Sequence, residues 1–105
     1  MSVPLVRGNV YFCDLGYGRK PWLVVSNNAR NQALKSALVA RITTTPKPSM
    51  DSIVTLVHGE PVKGSVLCDD IETLYTDDDL KHAGALSAHT MLEVGRALRV
   101  AFALR

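Results

Sequence analysis

Cysteine is scarce in this chain, acids are missing from one long interval, and no apolar run is long enough to cross a membrane. Two cysteines, Cys13 and Cys68, are all that 105 residues carry, and neither belongs to a C-x-x-C or Cys/His cluster. That spacing argues against a zinc site and against a disulfide-stapled scaffold. Both sit in apolar, strand-like runs and read as reduced, buried thiols. Nothing approaches the roughly twenty consecutive apolar residues of a membrane span. The opening stretch, Met1-Ser2-Val3-Pro4-Leu5-Val6-Arg7, lacks the apolar segment of a secretory signal, so the expectation is a cytoplasmic protein. Repeats, low-complexity tracts and linkers are also missing. Residues 1–105 are therefore read as a single domain, large enough for a modest core.

The absence of acids is the most informative of these. Arg19, Lys20, Arg30, Lys35, Arg41 and Lys47 all fall between positions 19 and 47, and no Asp or Glu interrupts them. Net charge is only +2, so the total says little about partners. The clustering implies a local positive field suited to a polyanion.

What is present reads mainly as strands. Residues 8–15 form a first strand, closed by the tight turn Gly16-Tyr17-Gly18. Pro21–Ser26 is near-continuously apolar and reads as a buried second strand. Asn27 is a good N-cap for a short helix to about Leu34. Ala37–Thr44 is a third strand, which Pro46 and Pro48 must end. Ser52–Val57 is a fourth, and Ser65–Cys68 with Ile71–Tyr75 supply one or two more around Asp69-Asp70. The acidic run Asp77-Asp78-Asp79 reads as a solvated turn, without the interleaved spacing of a calcium loop. Ser87 opens the clearest helix, where Met91, Val94, Leu98, Ala101 and Leu104 recur at three- and four-residue steps. The sum is an α+β, mainly β chain: a small curved antiparallel sheet or half-barrel with a C-terminal helix packed on it.

Consecutive strands usually neighbour each other. If the second and third do, the Arg19-Lys20 pair ahead of one strand meets the Thr43-Thr44-Thr45 run ending the other. Cations and hydroxyls then converge on one point, which suits a phosphate. Tyr11 and Trp22 read as core, while Tyr17, at a glycine-flanked tip, is the candidate for stacking on a base. His58, His82 and His89 form no recognisable pair.

Four ordered segments resemble the MazF/PemK (Kid) toxins of bacterial type II toxin–antitoxin systems. They are Arg7-Gly8-Asn9-Val10-Tyr11 with Asp14-Leu15, Lys20 through Asn27, Ala37 through Thr45, and Gly84-Ala85-Leu86-Ser87 with the helix after it. The likeness covers essentially the whole chain. It implies an SH3-like, MazF/CcdB-type barrel with a C-terminal helix, a homodimer, and sequence-specific endoribonuclease activity that needs no metal or other cofactor. It also implies a cognate antitoxin that lays an acidic segment across the active groove.

In that family an arginine just before the second-strand proline and a threonine or serine ending the third strand form the active site. The matching positions here are Lys20 and Thr43. Lysine offers a compact point charge where arginine grips a phosphate with two bonds, so Arg19 stands beside Lys20 as a catalytic candidate. Neighbours on a strand point opposite ways, and only one of the two is expected to face the groove. Arg41 replaces a common proline, and Gly16-Tyr17-Gly18 shortens a loop that is often longer. Asp70 stands where a neutral polar residue is frequent. Tyr17, Arg41, Thr44, Lys47 and Asp70 are the expected RNA-binding residues.

The chemistry follows from the residue types. The RNA's own 2′-hydroxyl attacks the adjacent phosphorus, while Lys20 or Arg19 holds the phosphate and Thr43 hydrogen-bonds it. Lysine is the better proton donor of the two cations, because arginine is effectively never deprotonated. Two rival readings share the fold: a CcdB-like gyrase-binding toxin and a non-catalytic RNA-binding barrel. Gyrase poisons of that type end in a tryptophan-bearing tail, whereas the sole tryptophan here is Trp22.

Overall fold

A computed structural model describes residues 5–105; Met1–Pro4, part of the opening stretch read as lacking a secretory signal, lie outside the described residues. Six strands and two helices follow in the order β1 (Asn9–Asp14), β2 (Arg19–Val24), α1 (Asn28–Leu34), β3 (Ser36–Thr43), β4 (Ile53–Thr55), β5 (Ser65–Tyr75), β6 (Lys81–Ala85) and α2 (Ala88–Ala101). All pairings are antiparallel, in one sheet of order β4-β5-β3-β2-β1-β6. The barrel expected from the resemblance is an open version of that plan, since β4 and β6 remain edges. Among the described residues no helix is long and apolar enough to cross a membrane.

Side-chain alternation divides the interior in two. Val10, Leu23, Ala40 and Ile42 face α2 and pack with its Val94 and Ala97. Tyr11, Trp22, Val24, Val39 and Leu74 form a second cluster. Successive strand residues point to opposite faces, so Lys20 shares a face with Trp22, and Arg41 and Thr43 share one with Val39. Trp22 and Tyr11 are core, as their setting predicts. Cys13 and Cys68 are free, buried thiols. Burial, with Asp69 adding to it, pushes the Cys68 thiol up to about 11, which leaves it inert as a nucleophile.

The caps are where the sequence places them. Asn27 Oδ1 accepts the Arg30 N–H at 3.0 Å. Ser87 Oγ accepts that of Thr90 at 3.2 Å. The buried stripe of α2 is Thr90, Val94 and Ala97, with Met91 and Leu98 at its margin. Leu104 is not part of it, because Ala103 turns left-handed (φ 56°) just past the helix end. The two segments expected to supply one or two strands are one bent strand, β5. The register jumps from Ala40–Ile71 to Arg41–Leu67, so residues 68–70 bulge out of the ladder.

Glu60 ties the 58–61 turn to α2. Its carboxylate accepts from the Ser87 N–H and hydroxyl, each at 2.9 Å. Partial burial alone would raise its pKa, but hydrogen bonds from Thr90 and Ser87 outweigh that and hold it below the usual carboxylate range. A depressed folded-state pKa stabilises above the unfolded value, about 4.3, and the contribution disappears as pH falls through the folded one. Glu60→Gln is therefore expected to lower stability by about 1 kcal/mol at pH 7, a cap-sized effect. Melting curves of mutant and parent should converge as pH falls below the unfolded value and through the folded one. A gap that stayed constant into acid would assign the effect to packing.

Candidate active site

The β2–β3 ladder pairs Val24 with Val39, Leu23 with Ala40 and Trp22 with Arg41, then stops. Pro21 comes next and has no N–H with which to continue. Continuing the same register by two residues sets Lys20 opposite Thr43. Where the strands part, a cleft of about 120 Å³ opens, lined by Lys20 and Pro21 on one side and by residues 41–45 on the other. The basic strand start and the threonine run thus meet, as their neighbouring strands require.

Thr43 is positioned from two directions. Its Oγ1 accepts the Thr45 N–H at 3.1 Å, which occupies a lone pair and leaves the hydroxyl proton free to donate. Behind it lies Gly64, with φ +119°, on whose missing Cβ position the Thr43 carbonyl and carbonyl carbon encroach. Only glycine allows that approach. Sequence reading overlooked Gly64, and the contact is invisible without tertiary structure. Lys20 has no hydrogen bond or ion pair among the described residues, and its ammonium is uncommitted.

Arg41 completes the cleft's positive edge. Its guanidinium carbon lies 6.0 Å from the Tyr17 ring centroid, and Nη1 lies 3.8 Å from Asp70 Oδ2. The β5 bulge is what carries Asp70 to this position. Tyr17 is 55% exposed. Its hydroxyl donates to Glu72 at 3.4 Å, and its ring sits 6.4 Å from that of Trp22. Glu72 is a second residue missed in the sequence, hidden within an ordinary strand. The turn itself is set by Asp14 Oδ1, which accepts from Gly16 and Gly18 N–H at 2.8 and 3.1 Å.

Arg19 does not line the cleft. Alternation sends it elsewhere, and its Nη1 lies 3.7 Å from Asp79, both partners being well exposed. Lys47 is exposed in the segment beyond β3 and is likewise outside the lining, whereas Thr44 and Thr45 are within it. Among the described residues no three His, Cys, Asp or Glu side chains are grouped to hold a metal ion.

Residues 6–102 match the family described as PemK-like, MazF-like toxin of type II toxin–antitoxin system. This chain belongs to that family. The toxin resembles Endoribonuclease MazF4 of Mycobacterium tuberculosis, strain ATCC 25618 / H37Rv, at 43% identity over 104 residues, covering 99% of this chain and 97% of the relative. A solved mycobacterial endoribonuclease in complex with its cognate antitoxin is 42% identical, with a TM-score of 0.89 over 95% of this toxin and 96% of that chain. A MazE–MazF structure from Deinococcus radiodurans, 24% identical with a TM-score of 0.80, covers 94% of this chain and 95% of its own, and speaks to the fold alone.

Proposed function

We propose that this MazF-family endoribonuclease toxin cleaves single RNA strands at the cleft between Lys20 and Thr43, by attack of the RNA's 2′-hydroxyl and without a metal ion. The observation that carries the reading is the convergence of an uncommitted ammonium and a donor hydroxyl on one small cleft. In this mechanism the 2′-oxygen bonds to phosphorus, the P–O5′ bond breaks, and the 2′ proton is lost to water. Lys20 neutralises the charge that gathers on the phosphoryl oxygens and delivers a proton to the departing 5′-oxygen. Thr43 donates to a phosphoryl oxygen and fixes the attack geometry. The products are a 2′,3′-cyclic phosphate and a 5′-hydroxyl.

The cleft geometry favours Lys20 over Arg19 for this work. Arg19, facing Asp79, serves the long-range field that gathers the polyanion. Tyr17 stacks on a base beside the scissile bond, and Arg41 contacts the backbone next to it. Asp70, while ionised, accepts from a base edge, and Thr44 and Lys47 extend the track. The toxin works as a homodimer in the cytoplasm, and a cognate antitoxin silences it with an acidic segment laid over this basic cleft.

The test is incubation of purified toxin with end-labelled RNA in excess EDTA. Cleavage with cyclic-phosphate ends is expected. Retention of RNA without cutting would assign an RNA-binding barrel instead, and dependence on added divalent metal would replace the mechanism.

A further inference from the structure

The β5 bulge sets an acid at the edge of a basic cleft. Arg41 lines that cleft, and Asp70 Oδ2 stands 3.8 Å from its Nη1. The separation is too long for a hydrogen bond, so neither group has spent its donors or acceptors on the other. Arg41 Nε has no hydrogen-bond partner either. Among the described residues nothing hydrogen-bonds the Asp70 carboxylate. The two side chains are 31% and 41% exposed, within reach of a ligand. A pair so placed adds little to stability.

Asp70 is unfavourable for a protein that gathers a polyanion, because like charge beside the phosphates weakens their binding. Its neighbours do not share its position. Asp69 is exposed, and Glu72 already accepts from the Tyr17 hydroxyl at 3.4 Å. Of the three acids, Asp70 is the one left with two open oxygens beside a cleft cation. A hydrogen-bond donor on the RNA would offset the repulsion, and such donors belong to the bases.

Placement fits a base next to the scissile phosphate. Arg41 precedes Thr43 by two strand residues, ~7 Å along β3, which is the reach of one nucleotide from phosphate to base. The Tyr17 ring, 6.0 Å from the Arg41 guanidinium carbon, supplies a flat surface beside the pair.

The bases differ in what they show such a pair. A cation and a carboxylate side by side match an edge that reads acceptor, donor, donor. Guanine has that order, in O6, N1–H and the N2 amino group. Uracil sets a second acceptor against the carboxylate, and the pairing edge of adenine has no carbonyl for the arginine. Cytosine offers the carboxylate only its N4 amino group, which leaves one oxygen unpaired.

We propose that Asp70 and Arg41 select guanine at a nucleotide flanking the scissile phosphate. One Asp70 oxygen accepts from N1–H and the other from the N2 amino group. Arg41 donates to O6 and keeps further donors for the backbone, while Tyr17 stacks on the same base. The inference rests on the proposed cleavage site and adds the base read there.

Purified toxin is given a randomised RNA library, and the fragment ends are sequenced. Guanine is expected at one fixed position flanking the cut. Replacing it by inosine, which lacks only the N2 amino group, should lower kcat/KM roughly tenfold or more. Asp70→Ala should cut the guanine and inosine RNAs at nearly equal rates. Asp69→Ala removes the same charge from the exposed neighbour and should keep the discrimination. Cuts flanked by another base overturn the inference. So does discrimination that survives in Asp70→Ala, or that disappears equally in Asp69→Ala. Retention of a 2′-O-methyl library, which lacks the attacking hydroxyl, is measured beside cleavage. Guanine-selective retention by a protein that cuts no RNA supports the base readout and overturns the nuclease reading. Cutting without a guanine preference overturns the readout alone.

Discussion

Lys20→Ala is expected to lower RNA cleavage by about 10²–10³-fold, the cost of removing one preorganised charge from a transition state. The fold should be unaffected, because the Lys20 side chain makes no hydrogen bond or ion pair among the described residues. Its loss removes both the counter-charge for the phosphoryl oxygens and the proton for the leaving oxygen. Lys20→Arg separates the two roles. Arginine restores charge and improves the grip on phosphate, but does not release a proton. It should therefore recover binding more fully than turnover. Thr43→Val, which keeps the shape and removes the hydroxyl, is expected to cost about 10–100-fold, the value of one hydrogen bond to a charged group. Single-turnover cleavage of a labelled oligonucleotide measures all three. Arg19→Ala should change the salt dependence of binding more than the cleavage step, as befits an exposed charge outside the cleft. A Lys20→Ala enzyme of full activity, or an Arg19→Ala enzyme of none, would exchange their assignments.

Gly64→Ala is expected to be the most damaging substitution of a residue that never touches substrate. Its backbone sits at φ +119°, and the new Cβ would collide with the Thr43 carbonyl and carbonyl carbon. These are backbone atoms of a strand end held in the ladder to β5, where Thr43 pairs with Ser65. They have little room to give. The combined strain and displacement should cost ~2–4 kcal/mol, lowering Tm by roughly 10–20 °C in a domain of this size. Because the displaced residue is Thr43, cleavage at permissive temperature should fall as well. Gly59→Ala is the matched control. It has φ +103° but nothing within 4 Å of the added carbon, so it carries the backbone cost alone, ~1–2 kcal/mol. Equal melting temperatures for the two variants would remove the contact as the cause.

The elements legible in the sequence were those governed by local chemistry. Asn27 and Ser87 announce their helices because a capping side chain acts within three residues. Pro46 and Pro48 end β3 because proline has no N–H to offer. The cleft was legible for a related reason: consecutive antiparallel strands must bring the start of one beside the end of the next. Strand alternation also separates Lys20 from Arg19, which a list of cations does not. β6 was not legible, since Lys81-His82-Ala83-Gly84-Ala85 has neither β-branched residues nor alternation and is a strand by virtue of its pairing with β1. Gly84 belongs there because Pro61 occupies the place of a Cβ. Asp69-Asp70 left one strand or two open in the sequence, and the structure makes it part of a bulge that aims Asp70 at Arg41. The support of Thr43 by Gly64 is likewise tertiary: twenty-one positions separate them in the chain, and only the β3–β5 pairing joins them.

The most direct measurement is a crystal structure of the protein with an RNA oligonucleotide whose scissile 2′-hydroxyl is replaced by hydrogen, so that binding proceeds and cleavage does not. The scissile phosphate should lie within about 3 Å of both Lys20 Nζ and Thr43 Oγ1, with a base against Tyr17. A phosphate seated away from Lys20, or a Thr43 hydroxyl turned from it, would contradict the account.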